Sequence, residues 1–195
     1  MSSTRPVISF LASHGGTAVR HVLAAMASGE LSASCGIVVT NNRDSAIYAW
    51  CLEQGVDVIQ ISAKTHPGEA AEDLAITAAL VSAGTDIIVL SGYMKKIGCN
   101  TLAQYSGKIL NIHPSLLPAH GGKGLYGDRV HRSVLQSGDK KSGATVHYIN
   151  EEYDEGPIIM QQAVSVGAAD TVASLKAKVQ NIEGPLYVQA IQKII

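Results

Sequence analysis

Asn111 and His113 stand two positions apart at the end of the apolar pair Ile109–Leu110, in the string ILNIHPSLLPAH. In extended backbone, residues i and i+2 face the same side, so an amide and an imidazole would address one point. Pro114 disfavours helix at His113, which keeps the chain extended through the histidine. An amide N–H and a protonated imidazole aimed at one oxygen stabilise the negative charge that develops there during acyl transfer. A strand end followed by a polar loop accounts for the same letters equally well.

Asp154, in YDEGP, is the candidate third member. A carboxylate beside an imidazole favours its charged form, and through a bound water it could take the proton of an attacking amine. Ordinary turn chemistry also explains YDEGP. No serine or cysteine nucleophile accompanies this group, which points to direct transfer rather than a covalent acyl-enzyme. The 7 histidines include no metal-ligand spacing such as HxxxH with a supporting acid, so no metal is expected.

Apolar runs and helical patterns alternate around these residues. Val7–Leu11 predicts a first strand; Ala18, Val19, Val22, Leu23 and Met26 recur at helical spacing after it, and Gly29 stops the pattern. The turn between them holds Gly15, Gly16 and Thr17, where free backbone N–H groups at a helix start form a seat for phosphate. It is not GxGxxG, and taken alone it reads more readily as structure. Further strands are predicted at Cys35–Thr40, Val56–Ile61, Asp86–Leu90 and Ile109–Ile112. Helices are predicted at Asp44–Gln54 (capped by Asp44 or Asn42), Gly68–Ser82 and Asn100–Tyr105. This alternation predicts an α/β fold with a mostly parallel sheet and helices on both faces. Strand-to-helix loops then share one edge, collecting Gly15–Thr17, Asn41–Asn42, Ser91–Lys96 and Asn111–His113.

Beyond His113 lies a loop of about sixteen residues containing Gly121, Gly122, Lys123, Gly124 and Gly127; loops of that length are commonly functional, and this one suits a flap over a ligand. A helix at Arg129–Leu135 follows. Ala144–Ile149 alternates like a half-exposed strand, Asn150–Pro157 turns, and Ile158–Val166 returns, giving an antiparallel hairpin near residues 144–166. The turn is expected to bring Asp154 to His113. Thr171 is read as the cap of a last helix that breaks or kinks at Gly184–Pro185. The whole is read as one Rossmann-like domain over residues 1–195, with about seven strands.

NIHPSLLP and GATVHYINEEYDEGPII (Gly143–Ile159) together resemble the folate-dependent formyltransferases, and the resemblance runs over nearly the whole chain. It implies transfer of a formyl group from 10-formyltetrahydrofolate, as co-substrate, to the amine of glycinamide ribonucleotide. Asn111, His113 and Asp154 match the family's catalytic positions. Met94, Lys95, Lys96, Ile97, Ile112, Asn150, Glu151 and Asp154 would border the reduced folate. Gly15, Gly16 and Thr17 would take the substrate's phosphate and Glu183 its amine end. Thr145 matches a position near a catalytic water, and His147 reads as a structural histidine. His14 and Gly16 stand where relatives more often carry Asn and Ser, and Lys95–Lys96 replaces a more usual Arg-plus-aliphatic pair. The competing expectations are a formyl-folate hydrolase, a transferase for another amine acceptor, and a non-catalytic folate- or nucleotide-binding protein.

Composition bounds the rest. With 195 residues, 46% hydrophobic and 16% charged, the chain is globular rather than disordered. A formal net charge of −1 argues for small-molecule partners and against nucleic acid or a membrane surface; a homodimer is left open. Three cysteines without CxxC spacing suggest neither a disulfide framework nor zinc. The first apolar run is too short for a signal peptide, so a cytoplasmic location is expected.

Overall fold

A computed structural model describes residues 5–195. Its elements run β1 (Val7–Ala12), α1 (Thr17–Ser28), β2 (Ser34–Thr40), α2 (Ala46–Gln54), β3 (Val58–Gln60), α3 (Glu69–Ser82), β4 (Ile87–Ser91), α4 (Cys99–Gln104), β5 (Ile109–His113), α5 (Asp128–Ser137), β6 (Lys141–Tyr148), β7 (Ile158–Ser165) and α6 (Val172–Gln192). Seven strands are hydrogen-bonded in the order β3-β2-β1-β4-β5-β6-β7. β1 pairs in parallel with β2 and β4, β2 with β3, and β4 with β5, whereas β6 and β7 are antiparallel. This is the mostly parallel α/β sheet that the alternation of runs predicts. By packing, the chain divides into two compact units, one ending at Leu110 and the other running Asn111–Ile195.

In the first unit β1 is central, and Ile8, Phe10 and Leu11 are fully buried, as a strand covered on both faces requires. Two expectations are corrected here. Helix α2 is capped by Ser45, whose side chain accepts from the Tyr48 N–H. Asn42 cannot serve, because its side-chain oxygen already accepts from the Asp44 N–H in a turn of its own. The third strand is three residues long rather than six. It lies at the sheet edge, where short strands limit unwanted pairing, and single backbone bonds such as Ile61 N–H to Thr40 O extend its contact.

In the second unit β6 begins at Lys141, and residues 142–147 are all buried. The half-exposed strand read from its alternation is therefore wrong. Ser142, Thr145 and His147 are polar yet enclosed, and alternation reports exposure only when one face meets water. Helix α6 packs on β6 and β7. Its Thr171–Ser174 capping box matches the predicted start. The predicted break does not occur: α6 runs through Pro185 as one helix of 21 residues. An interior proline costs roughly 3 kcal/mol. Leu186, Tyr187, Val188, Ala190 and Ile191, all buried beyond it, offset that cost. Pro185 itself and Asn181, whose carbonyl loses its partner, are exposed, so water can satisfy the orphaned oxygen.

Candidate active site

Asn111 and His113 lie at the end of β5, two positions apart and on one side, as the extended backbone dictates. Asp154 reaches them from the turn between β6 and β7. Its Oδ2 lies 3.4 Å from Nδ1 of His113 and its Oδ1 lies 3.7 Å from Nε2 of His147. The Asn111 amide N–H donates to Nε2 of His147 at 3.2 Å, and Nδ1–H of His147 donates to the Tyr148 carbonyl at 2.9 Å. This fixes the neutral tautomer of His147 with Nε2 as acceptor. Burial holds its pKa below the ordinary histidine value, against the opposing pull of the Tyr148 carbonyl and Asp154. Because an amide NH2 has two N–H groups, Asn111 keeps one for a ligand.

The glycine-rich loop closes on the same group. Nε2–H of His113 donates to the His120 carbonyl at 2.9 Å, and the Gly122 N–H donates to Oδ2 of Asp154 at 2.8 Å. Among the described residues, the non-glycine positions with left-handed backbone are His120 (φ 56) and Asp154 (φ 60). Each such conformation costs of order 1–2 kcal/mol. Both residues flank His113. A β-carbon on Gly121 would stand 2.3 Å from Leu117 Cδ2 and 3.3 Å from Asp154 Cβ, so a larger residue here would have to displace the Leu117 side chain.

Thr145 ties the loop's start to β6. Its hydroxyl donates to the Ser115 carbonyl at 2.6 Å and accepts from the Leu117 N–H at 3.0 Å and from Gln161 at 2.9 Å. Its role visible here is to anchor the loop. Asn150 shapes the turn before Asp154 by accepting from the Glu152 N–H, and Glu151 is exposed. Glu183 on α6 is half-buried rather than a fully solvated helix residue, and burial raises its pKa against the opposing pull of Lys176.

The first unit holds the remaining predicted positions. Gly16 has φ 60, and a β-carbon there would meet Ile47 Cδ1 at 2.5 Å, so both the backbone and the packing favour glycine at this position. Thr17 opens α1, and Gly15 and His14 are exposed, the His14 carbonyl accepting from the Ile47 N–H. The Met94 N–H donates to Ser13 Oγ at 2.9 Å, which joins the loops after β4 and β1. Ile97 is buried and Met94 and Lys96 are exposed. Lys95 forms an ion pair with Glu72 of α3, so part of its charge is already matched. A cleft of about 410 Å³ lies beyond β2 and β3, lined by Asn41, Arg43, Gln60, Ser62, Lys64 and Lys95 among others. Its lining carries the cations Arg43, Lys64 and Lys95 and the carboxylate of Asp44.

His147, read from the sequence as a structural histidine, is the residue whose place in the site sequence reasoning missed. A signal existed for His147, since it lies two positions from Thr145 in the motif, but the strand's exposure was misread. Burial pushes the thiol of Cys51 up to about 11, away from thiolate chemistry. Among the described residues no group of three or more His, Cys, Asp or Glu is placed to hold a metal ion, and no helix is long and apolar enough to cross a membrane.

The family described as formyl transferase matches residues 7–191 of the chain. Phosphoribosylglycinamide formyltransferase of Haemophilus influenzae is 32% identical over 92% of this chain and 82% of its own length. The chloroplastic phosphoribosylglycinamide formyltransferase of Arabidopsis thaliana is 37% identical over 97% of this chain, which spans 65% of that relative's length. Among solved structures, glycinamide ribonucleotide transformylase 1 from Symbiobacterium toebii superposes with a TM-score of 0.90 at 33% identity, over 96% of this chain and 86% of that one.

Proposed function

The chain belongs to the formyl transferase family, and from that premise we propose that it moves a formyl group from 10-formyltetrahydrofolate to the amine of glycinamide ribonucleotide, a step of purine biosynthesis. The observation that carries this reading is the meeting of Asn111, His113 and Asp154 around one point, with the carboxylate 3.4 Å from the imidazole. The substrate amine attacks the formyl carbon, and the C=O bond pair moves onto oxygen. The unspent N–H of Asn111 donates to that oxygen, and protonated His113 places positive charge beside it. Asp154 supports the charged imidazole and takes the amine's proton, directly or through one water. Collapse of the intermediate breaks the bond to the folate nitrogen, which gains a proton as it leaves.

Further assignments belong to the same proposal. Gly15, Gly16 and Thr17 seat the phosphate with backbone N–H groups, and Glu183 takes the amine end of the acceptor. Met94, Lys95, Lys96, Ile97 and Ile112, with Asn150, Glu151 and Asp154, bind the folate. The chain works without a metal on small molecules in the cytoplasm, as a single domain, in a monomer or a homodimer. The test is the absorbance change that accompanies release of tetrahydrofolate, followed with and without glycinamide ribonucleotide. Release that depends on the acceptor and yields formylated product supports transfer; equal release without it identifies a hydrolase.

A further inference from the structure

Both ring nitrogens of His120 are engaged, although this residue lies outside the predicted catalytic set. Nε2–H donates to Asp139 Oδ2 at 2.7 Å, and Nδ1 lies 2.8 Å from Ser133 Oγ. The neutral Nε2–H tautomer satisfies both, accepting the serine O–H at Nδ1. Ser133 is on α5, and Asp139 follows its glycine stop at Gly138. The helix end therefore grips a side chain whose own carbonyl accepts from Nε2–H of His113 at 2.9 Å. The direction of that carbonyl is set by the left-handed backbone at His120, a conformation that persists only where surrounding contacts over-determine it. The ring of His120 is nearly enclosed, its side chain 13% exposed, while Asp139 is 46% exposed.

We infer that His120 is a positioning residue: held by Ser133 and Asp139, it keeps its backbone carbonyl on Nε2 of His113 and so fixes the imidazole's orientation toward Asp154. The catalytic consequence rests on the proposed formyl transfer; the geometric one does not. An imidazole free to rotate about χ2 would present its nitrogens to Asp154 only part of the time. Misplacement of a reacting group by about 1 Å costs up to a hundredfold in rate.

The test uses His120→Phe, which keeps a ring without its nitrogens, and the surface variants Asp139→Ala and Asp139→Asn, which are less exposed to misfolding. The first readout is the Nε2–H proton of His113 in the NMR spectrum of the free protein, which is protected from water while its hydrogen bond persists. It is expected to be visible in the parent and in Asp139→Asn, which retains an acceptor oxygen, and lost to exchange in His120→Phe and Asp139→Ala. The second is steady-state kinetics, with kcat expected to fall about tenfold to a hundredfold in Asp139→Ala, KM for the acceptor little changed, and recovery in Asp139→Asn. A protected His113 proton and unchanged kcat in Asp139→Ala would overturn the inference. If the parent shows no transfer at all, the proposed function fails, and the ring proton alone still decides whether the clamp exists.

Discussion

Asp73 and Asp154 are both enclosed carboxylates, and the chain treats them in opposite ways. Asp73, on α3, accepts four hydrogen bonds: from the Asn100 N–H at 2.8 Å, the Asn100 amide at 2.9 Å, the Thr101 N–H at 3.1 Å and the Thr101 hydroxyl at 2.6 Å. It thereby caps the start of α4. Burial pushes its pKa up, but these bonds outweigh burial and hold it below the ordinary aspartate value. Gly98 packs directly on it, since a β-carbon there would lie 2.1 Å from its carboxyl carbon. Asp154 has a left-handed backbone, one short bond from the Gly122 N–H, and two long approaches to histidines. A carboxylate whose lone pairs are all engaged holds structure together. One held in a strained turn with acceptor capacity in reserve is equipped for chemistry.

The sharpest way to break that comparison is to remove each group and see which property fails. His113→Ala, Asp154→Ala and Asn111→Ala should each lower kcat about a hundredfold to a thousandfold, with melting temperature nearly unchanged, as read by steady-state kinetics and calorimetry. Asp73→Ala should do the reverse. Four donors lose a charged acceptor, at a cost of about 3 kcal/mol, which for a chain of this size lowers the melting temperature by about 6–12 °C. If Asp73→Ala melts like the parent, the structural half of the contrast is lost.

Smaller effects sharpen the same distinction. Gly16→Ser should destabilise by about 1–2 kcal/mol in denaturant unfolding, because the new β-carbon meets Ile47 and the backbone is left-handed there. Shortening Ile47 to Ala in that background should recover part of the loss if the clash is the cause. The smallest effect expected is a pH dependence. Burial lowers the pKa of His147 below 6.5, its ordinary value. The unfolded chain therefore binds a proton at this site more readily than the folded one. The resulting stability is fully present above about pH 6.5 and is lost as pH falls from there through the folded value. His147→Asn should flatten the melting-temperature profile between pH 7.5 and 5; an unchanged slope would show that His147 is not held neutral by the fold.

The parallel strands were legible because a strand covered on both faces needs a continuous apolar run, as in VISFL and CGIVVT, and glycines at 29 and 55 mark the helix ends. The convergence of His113 and Asp154 was legible too, through the strand geometry of NIHP and the turn letters of YDEGP. What failed depended on neighbours distant in the chain. β6 looked half-exposed because its polar residues alternate, yet those residues are enclosed, with Thr145 bonded to the loop and His147 to Asn111. Pro185 should have ended α6, but the apolar face beyond it outweighs a local penalty. Asn42 resembled a helix cap until its side chain proved to be occupied one turn earlier. The grip on His120 was not legible, since its side-chain contacts lie 13 and 19 positions further on.

A double-mutant cycle on kcat/KM for formyl transfer, built from His113→Ala and Asp154→Ala, bears most directly on whether the imidazole and carboxylate act as one unit. Groups that work together lose their effect together, so the double variant should be about as slow as the slower single variant. Losses that multiply would mean two independent contributions, and a rate for Asp154→Ala equal to the parent's would remove the carboxylate from the mechanism.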